Sequence, residues 1–368
     1  MFTSEPSLAQ RIERMIGDVP IVDTRSNLKL DRPSTPDLAT LLAEAPIQVA
    51  LRSVGMPAGA FDQARSTDDQ VASALPFLRQ VRNTSAAWCL FRIFRDLYDF
   101  DEPHLTSDNA LGLMDRVARS ANDPDWPRHV LRDRSKIGTL VAPSLANQPE
   151  PIGTLSDMVV QRLEIIAGDP VEPSDRVRSA VFDELDQGLD DRVRFAAFPE
   201  PPDPDHPVHD AILEWHDIHQ WPIQVVLDQP VPSANLFERI ESVVVRYPRA
   251  RFGLMTGSAE LGSKVAALAG RLPNVFAEGY CGLGALPGAI ERNALARIQR
   301  LGATRIGGFA SGATTAEWAY GSLQATKKAT ASALAQAVSG GFFEEDELPP
   351  PLRAIFSTSP TDWYRLGD

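Results

Sequence analysis

Val19-Pro20-Ile21-Val22-Asp23-Thr24-Arg25-Ser26-Asn27-Leu28 is the stretch on which the fold turns. A short apolar run that stops abruptly at polar residues reads as a buried strand whose C-terminal end opens into a site. In extended chain Asp23, Arg25 and Asn27 face the same way. Upstream, Leu8, Ile12 and Ile16 recur at helical spacing, so residues 7–16 form a lead-in helix before the strand.

Downstream, the chain does not proceed directly to a second strand. Thr35-Pro36-Asp37 reads as a helix start, with Thr35 as N-cap and Pro36 at the first helical position. A helical tract spans 68–98, and shorter helices cover 107–120 and 125–134. Roughly a hundred residues without a strand far exceed a normal connection. From Ile137 short apolar runs alternate with helices. Strands are expected at 137–141, 193–198, 222–227, 251–255, 274–277 and 305–309. Helices are expected at 156–166, 208–219, 234–247, 258–272 and 287–301. This βαβα succession implies a parallel sheet, and its length favours a closed barrel. The fold class expected is α/β: a (β/α)8 TIM barrel with a large all-helical insert after strand one. Seven strands are counted and one is unplaced. The division is 1–30 for the lead-in helix and strand one, 31–135 for the insert, and 136–368 for the rest of the barrel and the C-terminal helices.

Bulk properties narrow the partners. The 368 residues carry 23% charged and 43% hydrophobic side chains and a net charge of −13. Acidity of this size argues against nucleic acid, which needs clustered Lys and Arg. A local basic pocket for an anionic small molecule is compatible with it. Two cysteines, Cys89 and Cys281, give no disulfide framework, and a cytoplasmic location is the default. Residues 1–7 lack the features of a signal peptide, and no apolar run reaches the about 18 residues of a membrane span. No membrane partner is expected, and a homo-oligomer is left open.

Several pieces together carry a family resemblance. The opening stretch resembles the first metal-ligand strand of the amidohydrolase superfamily, where paired histidines stand at the positions of Arg25 and Asn27. Arg82-Asn83-Thr84-Ser85, Arg95-Asp96-Leu97-Tyr98, Asp123-Pro124-Asp125-Trp126 and Glu317-Trp318-Ala319-Tyr320-Gly321 resemble its uronate-isomerase-like branch. Members of that branch are (β/α)8 barrels that hydrolyse or isomerise small, often anionic substrates, mostly with one or two divalent metals. Following the resemblance, Val226 takes the place of the fifth-strand histidine, Thr256 that of the sixth-strand histidine, and Ala310 that of the last-strand aspartate. Arginine, valine and alanine offer a metal no lone pair. The expectation is therefore no metal and no cofactor.

Other candidates at the strand ends are Asp23, Gln224, Glu278, Tyr280 and Ser311, with Arg82 reaching in from the insert. Arg25 is expected to receive a carboxylate with its planar fork, helped by Asn27, or else to pair with Asp23 or another buried carboxylate. Asp23, Arg25 and Glu278 form the catalytic set; Arg25, Asn27, Arg82, Gln224, Thr256, Tyr280 and Ser311 form the ligand-binding set. Cys281 reads as a packed thiol before a nucleophile, and Cys89 as core. His216 and His219 share a helix face away from the mouth, and His206 and His209 read as exposed loop residues. Two functions stay open. One is a metal-independent hydrolase or isomerase acting on a small carboxylate-bearing compound. The other is a pseudoenzyme serving as a ligand-binding or regulatory partner protein.

Overall fold

The computed structural model describes residues 6–144, 154–165, 175–189, 193–228, 235–279 and 286–367. The lead-in helix α1 (Leu8–Gly17) is closed by a reciprocal cap between Ser7 and Gln10, and it buries Ile12 and Ile16. Strand β1 (Ile21–Asp23) follows, buried throughout.

Helices alone occupy the chain up to the second strand: α2 (Leu38–Ala43), α3 (Ala45–Ser53), α4 (Thr67–Leu78), α5 (Ser85–Tyr98), α6 (Ser107–Ala121) and α7 (Trp126–Arg128), with a π-helical turn at His129–Arg134. Two expectations need correction here. Thr35 is not the cap of α2; Asp37 is, accepting from the Thr40 N–H at 2.7 Å. The tract 68–98 is two helices, because Thr84 caps a new one by accepting from the Ala87 N–H.

Next come β2 (Ile137–Ser144), β3 (Val159–Glu164), α8 (Asp175–Gly188), β4 (Val193–Phe198), α9 (Pro207–His219), β5 (Pro222–Val226), α10 (Leu236–Arg246), β6 (Arg251–Met255), α11 (Ala259–Arg271), β7 (Val275–Ala277), α12 (Pro287–Ile298), α13 (Ala316–Ser339), α14 (Pro349–Arg353) and α15 (Ser359–Tyr364). The unplaced strand is β3, inside the segment 156–166 expected to be helical. Its inward residues include Arg162 and Glu164, so the apolar alternation that marks a strand is inverted there. Helix α8 was not anticipated.

The seven strands are parallel and adjacent in sequence order. Their nearly continuous apolar runs fit a sheet covered on both faces. The expected strand 305–309 is reduced to one bridge, Ala277 with Ile306. The Gly307 N–H bonds the Ala277 carbonyl at 2.8 Å, and the Thr24 N–H reaches the Phe309 carbonyl at 3.3 Å. One chain segment thus touches both sheet edges. No helix among the described residues is long and apolar enough to cross a membrane.

The four sequence pieces that carry the resemblance have a physical reason to occur together. Buried Glu317, in the first turn of α13, accepts from the Tyr98 hydroxyl at 3.2 Å, the Trp126 indole at 3.0 Å and the Thr35 N–H at 3.1 Å. Tyr320 donates to Asp96 at 2.6 Å, and the Trp318 indole to the Leu41 carbonyl at 3.1 Å. Arg82 stacks over the Phe91 ring, at 3.9 Å. These bonds fasten the helices between β1 and β2 onto α13.

The C-terminal helices fill the sheet from the N-terminal ends of its strands. Trp363 stacks on Phe276 with ring centroids 5.0 Å apart, under the Arg251 guanidinium at the start of β6. Tyr364 lies 4.3 Å from the Phe195 ring and runs inward, its hydroxyl touching the space where a side chain at Gly253 would begin. Gly253→Ala is therefore expected to displace Tyr364 and cost about 1–3 kcal/mol in urea denaturation. Gly138→Ala, where nothing lies within 4 Å, is the control. Equal losses in both variants would mean that Tyr364 is not packed this way.

Candidate functional site

Residues at and beyond the C-terminal ends of β1, β3, β5 and β7 build one connected polar cluster. Arg25 is 7% exposed. Its Nη1 donates to Gln224 at 2.8 Å, and its Nη2 lies 3.0 Å from Glu164. Glu164 also receives the Arg162 Nε at 2.7 Å. Arg162 is wholly buried, and its other N–H groups bond the carbonyls of Ser26 and Val141, each at 2.8 Å, and the Asn27 amide oxygen at 2.9 Å. Two guanidiniums thus share one carboxylate.

Asp23 stands beside this cluster, fully buried. Its Oδ1 accepts from the Ser311 N–H at 2.8 Å and from the Arg25 N–H at 3.3 Å. Among the described residues its Oδ2 has no hydrogen-bond partner of good geometry, and the Ser311 side chain lies close enough to the carboxyl to lower its pKa. Burial raises its pKa from 3.8 to about 6, against the Ser311 and Arg25 bonds and the Arg162 charge, which lower it. Of the two carboxylate alternatives for Arg25, the guanidinium takes another buried carboxylate, Glu164, and Asp23 bonds the Arg25 backbone N–H instead.

Glu278 is anchored deeper. The Thr24 hydroxyl and Gly279 N–H each donate to its Oε1 at 2.8 Å, and the Tyr364 hydroxyl donates to its Oε2. Burial raises the pKa of both Glu278 and Tyr364. With both oxygens engaged, Glu278 serves to hold Thr24 and the C-terminal plug in register.

The remaining candidates divide clearly. Gln224 and Ser311 belong to the cluster, and exposed Asn27 forms its rim, with its amide nitrogen on the Gly312 carbonyl at 3.2 Å. Thr256 is tied to Asp228 at 2.7 Å. Arg82 is not brought in; besides stacking on Phe91 it bonds the Pro103 carbonyl at 3.4 Å. Tyr280 and Cys281 lie outside the described residues. Cys89 is core, its thiol pushed up to about 12 by burial. His209 is buried rather than exposed, edge-on to Phe198 and accepting from the Asp203 N–H at 3.0 Å. The His206 ring lies 4.6 Å from it, tilted by 37°. His216 is buried, which lowers its pKa to about 3, and bonds the Trp221 carbonyl before β5, away from the cluster.

Sequence reading missed Arg162, Glu164 and Tyr364. A signal for the first two was present: in Val159-Val160-Gln161-Arg162-Leu163-Glu164 the two charges are spaced for one face of a strand.

The positions that the resemblance assigns to metal ligands do not make a donor set. Arg25 and Asn27 are bound into the cluster, and Val226, Met255 and Ala310 pack together as an apolar patch. Among the described residues no group of three or more His, Cys, Asp or Glu side chains could hold a metal ion.

No protein-family model matches the chain, and no curated protein matches it. Solved structures do. A uronate isomerase from Bacillus halodurans superposes with a TM-score of 0.80 at 15% identity, over 99% of this chain and 98% of that one. A glucuronate isomerase from Caulobacter crescentus gives 0.80 at 15%, over 100% and 96%. A uronate isomerase from Thermotoga maritima gives 0.76 at 11%, over 99% and 100%. The chain has the fold of these enzymes, the branch its sequence resembles.

Proposed function

We propose that the chain is a metal-independent enzyme of the amidohydrolase fold, isomerising a small carboxylate-bearing compound by acid–base chemistry. In the same reading, residues 306–309 are the eighth strand of a closed barrel and residues 31–135 its helical insert. The observation that carries the proposal is Asp23: a carboxyl whose burial raises its pKa to about 6, with one oxygen unpartnered among the described residues, beside two arginines that share a single carboxylate. A buried polar atom without a partner costs free energy that a bound group can recover. A pKa near the working pH suits a group that both takes and returns a proton.

With Asp23 protonated, the cluster of Arg25, Arg162 and Glu164 carries one net positive charge, which suits a carboxylate or an enediolate. Ionised Asp23 takes the proton from a hydroxyl-bearing carbon next to a carbonyl. The C–H electron pair becomes the enediolate double bond, and the former carbonyl oxygen takes the negative charge. The hydroxyl proton then passes between the two oxygens, and Asp23 returns its proton to the neighbouring carbon. No atom is gained or lost.

The test incubates the protein in deuterated water with a panel of uronates and small hydroxy-aldehyde acids, and follows proton NMR. The expected result is deuterium at the carbon beside the carbonyl, together with the isomer, both surviving exhaustive chelation. No exchange with any member, as the pseudoenzyme reading requires, would refute the proposal. So would activity that chelation abolishes and zinc restores.

A further inference from the structure

We propose a second ligand site, away from the strand ends, for a carboxylate carried on an apolar chain. It is a cavity of about 480 Å³ between α3, α5 and α13, bordered by Leu286 ahead of α12. That volume is in the range of small-molecule pockets. Its walls are mostly apolar, and its rim includes Val49 and Leu286, 67% and 65% exposed.

Two independent features give it a polar end. The first is the start of α5, a helix of 14 residues with no acidic side chain in its first turn. Thr84 caps only the Ala87 N–H, and the N–H groups of Ser85 and Ala86 have no partner within the helix. Thr84, Ser85 and Ala86 line the cavity, so the positive end of the helix faces it. The second is Ser322 on α13. It is 2% exposed, lines the same cavity, and among the described residues its hydroxyl has no hydrogen-bond partner. A helix N-terminus and an unsatisfied hydroxyl along an apolar groove suit a fatty or arylalkyl carboxylate: the head takes the N–H groups and the tail lies on Pro46, Val49 and Ala50. An amine would meet the wrong end of the helix, and an alcohol would forgo the charge.

Calorimetry with octanoate, octanol and octylamine on the whole protein tests this. Octanoate is expected to bind about tenfold more tightly than octanol, the effect of a helix terminus on a partly buried anion, and octylamine not at all. Val49→Asp places a like charge at the rim on an exposed position that folding does not need. It should weaken octanoate about tenfold or more with an unchanged melting temperature. Ser322→Ala should weaken it about two- to tenfold. Three outcomes would overturn the site: no octanoate binding, equal binding of the three probes, or octanoate binding that Val49→Asp leaves intact, which would locate the anion elsewhere, at Arg25 for example.

Discussion

Replacing Asp23 by asparagine is expected to lower kcat on the isomerised compound by about 10²–10⁴-fold, the usual worth of a positioned acid–base group. In the parent, activity should rise with pH through about 6, where Asp23 ionises, and this limb should be missing from the residual activity of the variant. A stability measurement that needs no substrate accompanies it. The folded-state pKa of Asp23 lies above its unfolded value of 3.8. The stability it contributes is therefore complete below about pH 4 and is lost as pH rises through about 6, roughly 3 kcal/mol in all. Asparagine keeps an acceptor for Ser311 and Arg25 and cannot ionise. The variant should gain on the parent between pH 4 and 7 and run parallel to it below. Melting curves whose separation is independent of pH would show that the carboxyl is not held protonated by the fold, and would remove the basis for its role.

Arg162→Met is expected to cost about 3–5 kcal/mol, the largest effect on stability. The methionine fills much of the volume but leaves Glu164 with Arg25 alone, and the carbonyls of Ser26 and Val141 and the Asn27 oxygen lose their donor. Lysine is no substitute, because a single ammonium cannot reproduce a planar fork that bonds four groups on three strands or their extensions. Removing Glu164 as well, in Arg162→Met with Glu164→Leu, should deepen the loss, because Arg25 then keeps only the neutral Gln224 opposite its buried charge. Urea denaturation of the two variants decides it. A double variant as stable as the single one would mean that Arg25 does not depend on Glu164.

Arg162 also marks where the sequence ceased to be readable. The strands that became β1, β2 and β4–β7 announce themselves as short apolar runs because both their faces are covered. β3 does not, because it turns charges inward, and its apolar residues then fall at spacings that a helix also satisfies. Missing β3 meant missing the partner of Arg25. The sequence offers a ligand, Asp23 or another buried carboxylate for that role, and the carboxylate that takes it, Glu164, lies in a segment that reads as helical. The helices between β1 and β2 were legible in number but not in purpose. Only their contacts show that Tyr98, Trp126 and Thr35 meet on Glu317. Tyr364 could not have been placed at all from local pattern, because its partner Glu278 is 86 residues away.

The contact between Thr24 and Phe309 has a consequence for the order of folding. It joins residues 285 apart in the chain. Formed first, it would close a loop at an entropic cost of about 5 kcal/mol, with nothing yet in place to offset it. It therefore forms late, after neighbouring strands have zipped up in sequence order and shortened the effective loop. Until then the folding chain is an open sheet with two bare edges, β1 and β7, each able to pair with the matching edge of another molecule. Refolding should be slow for a chain so rich in helices, and its yield should fall as protein concentration rises, because the contacts of residues 307–309 with the two sheet edges form within one molecule in competition with pairing between two.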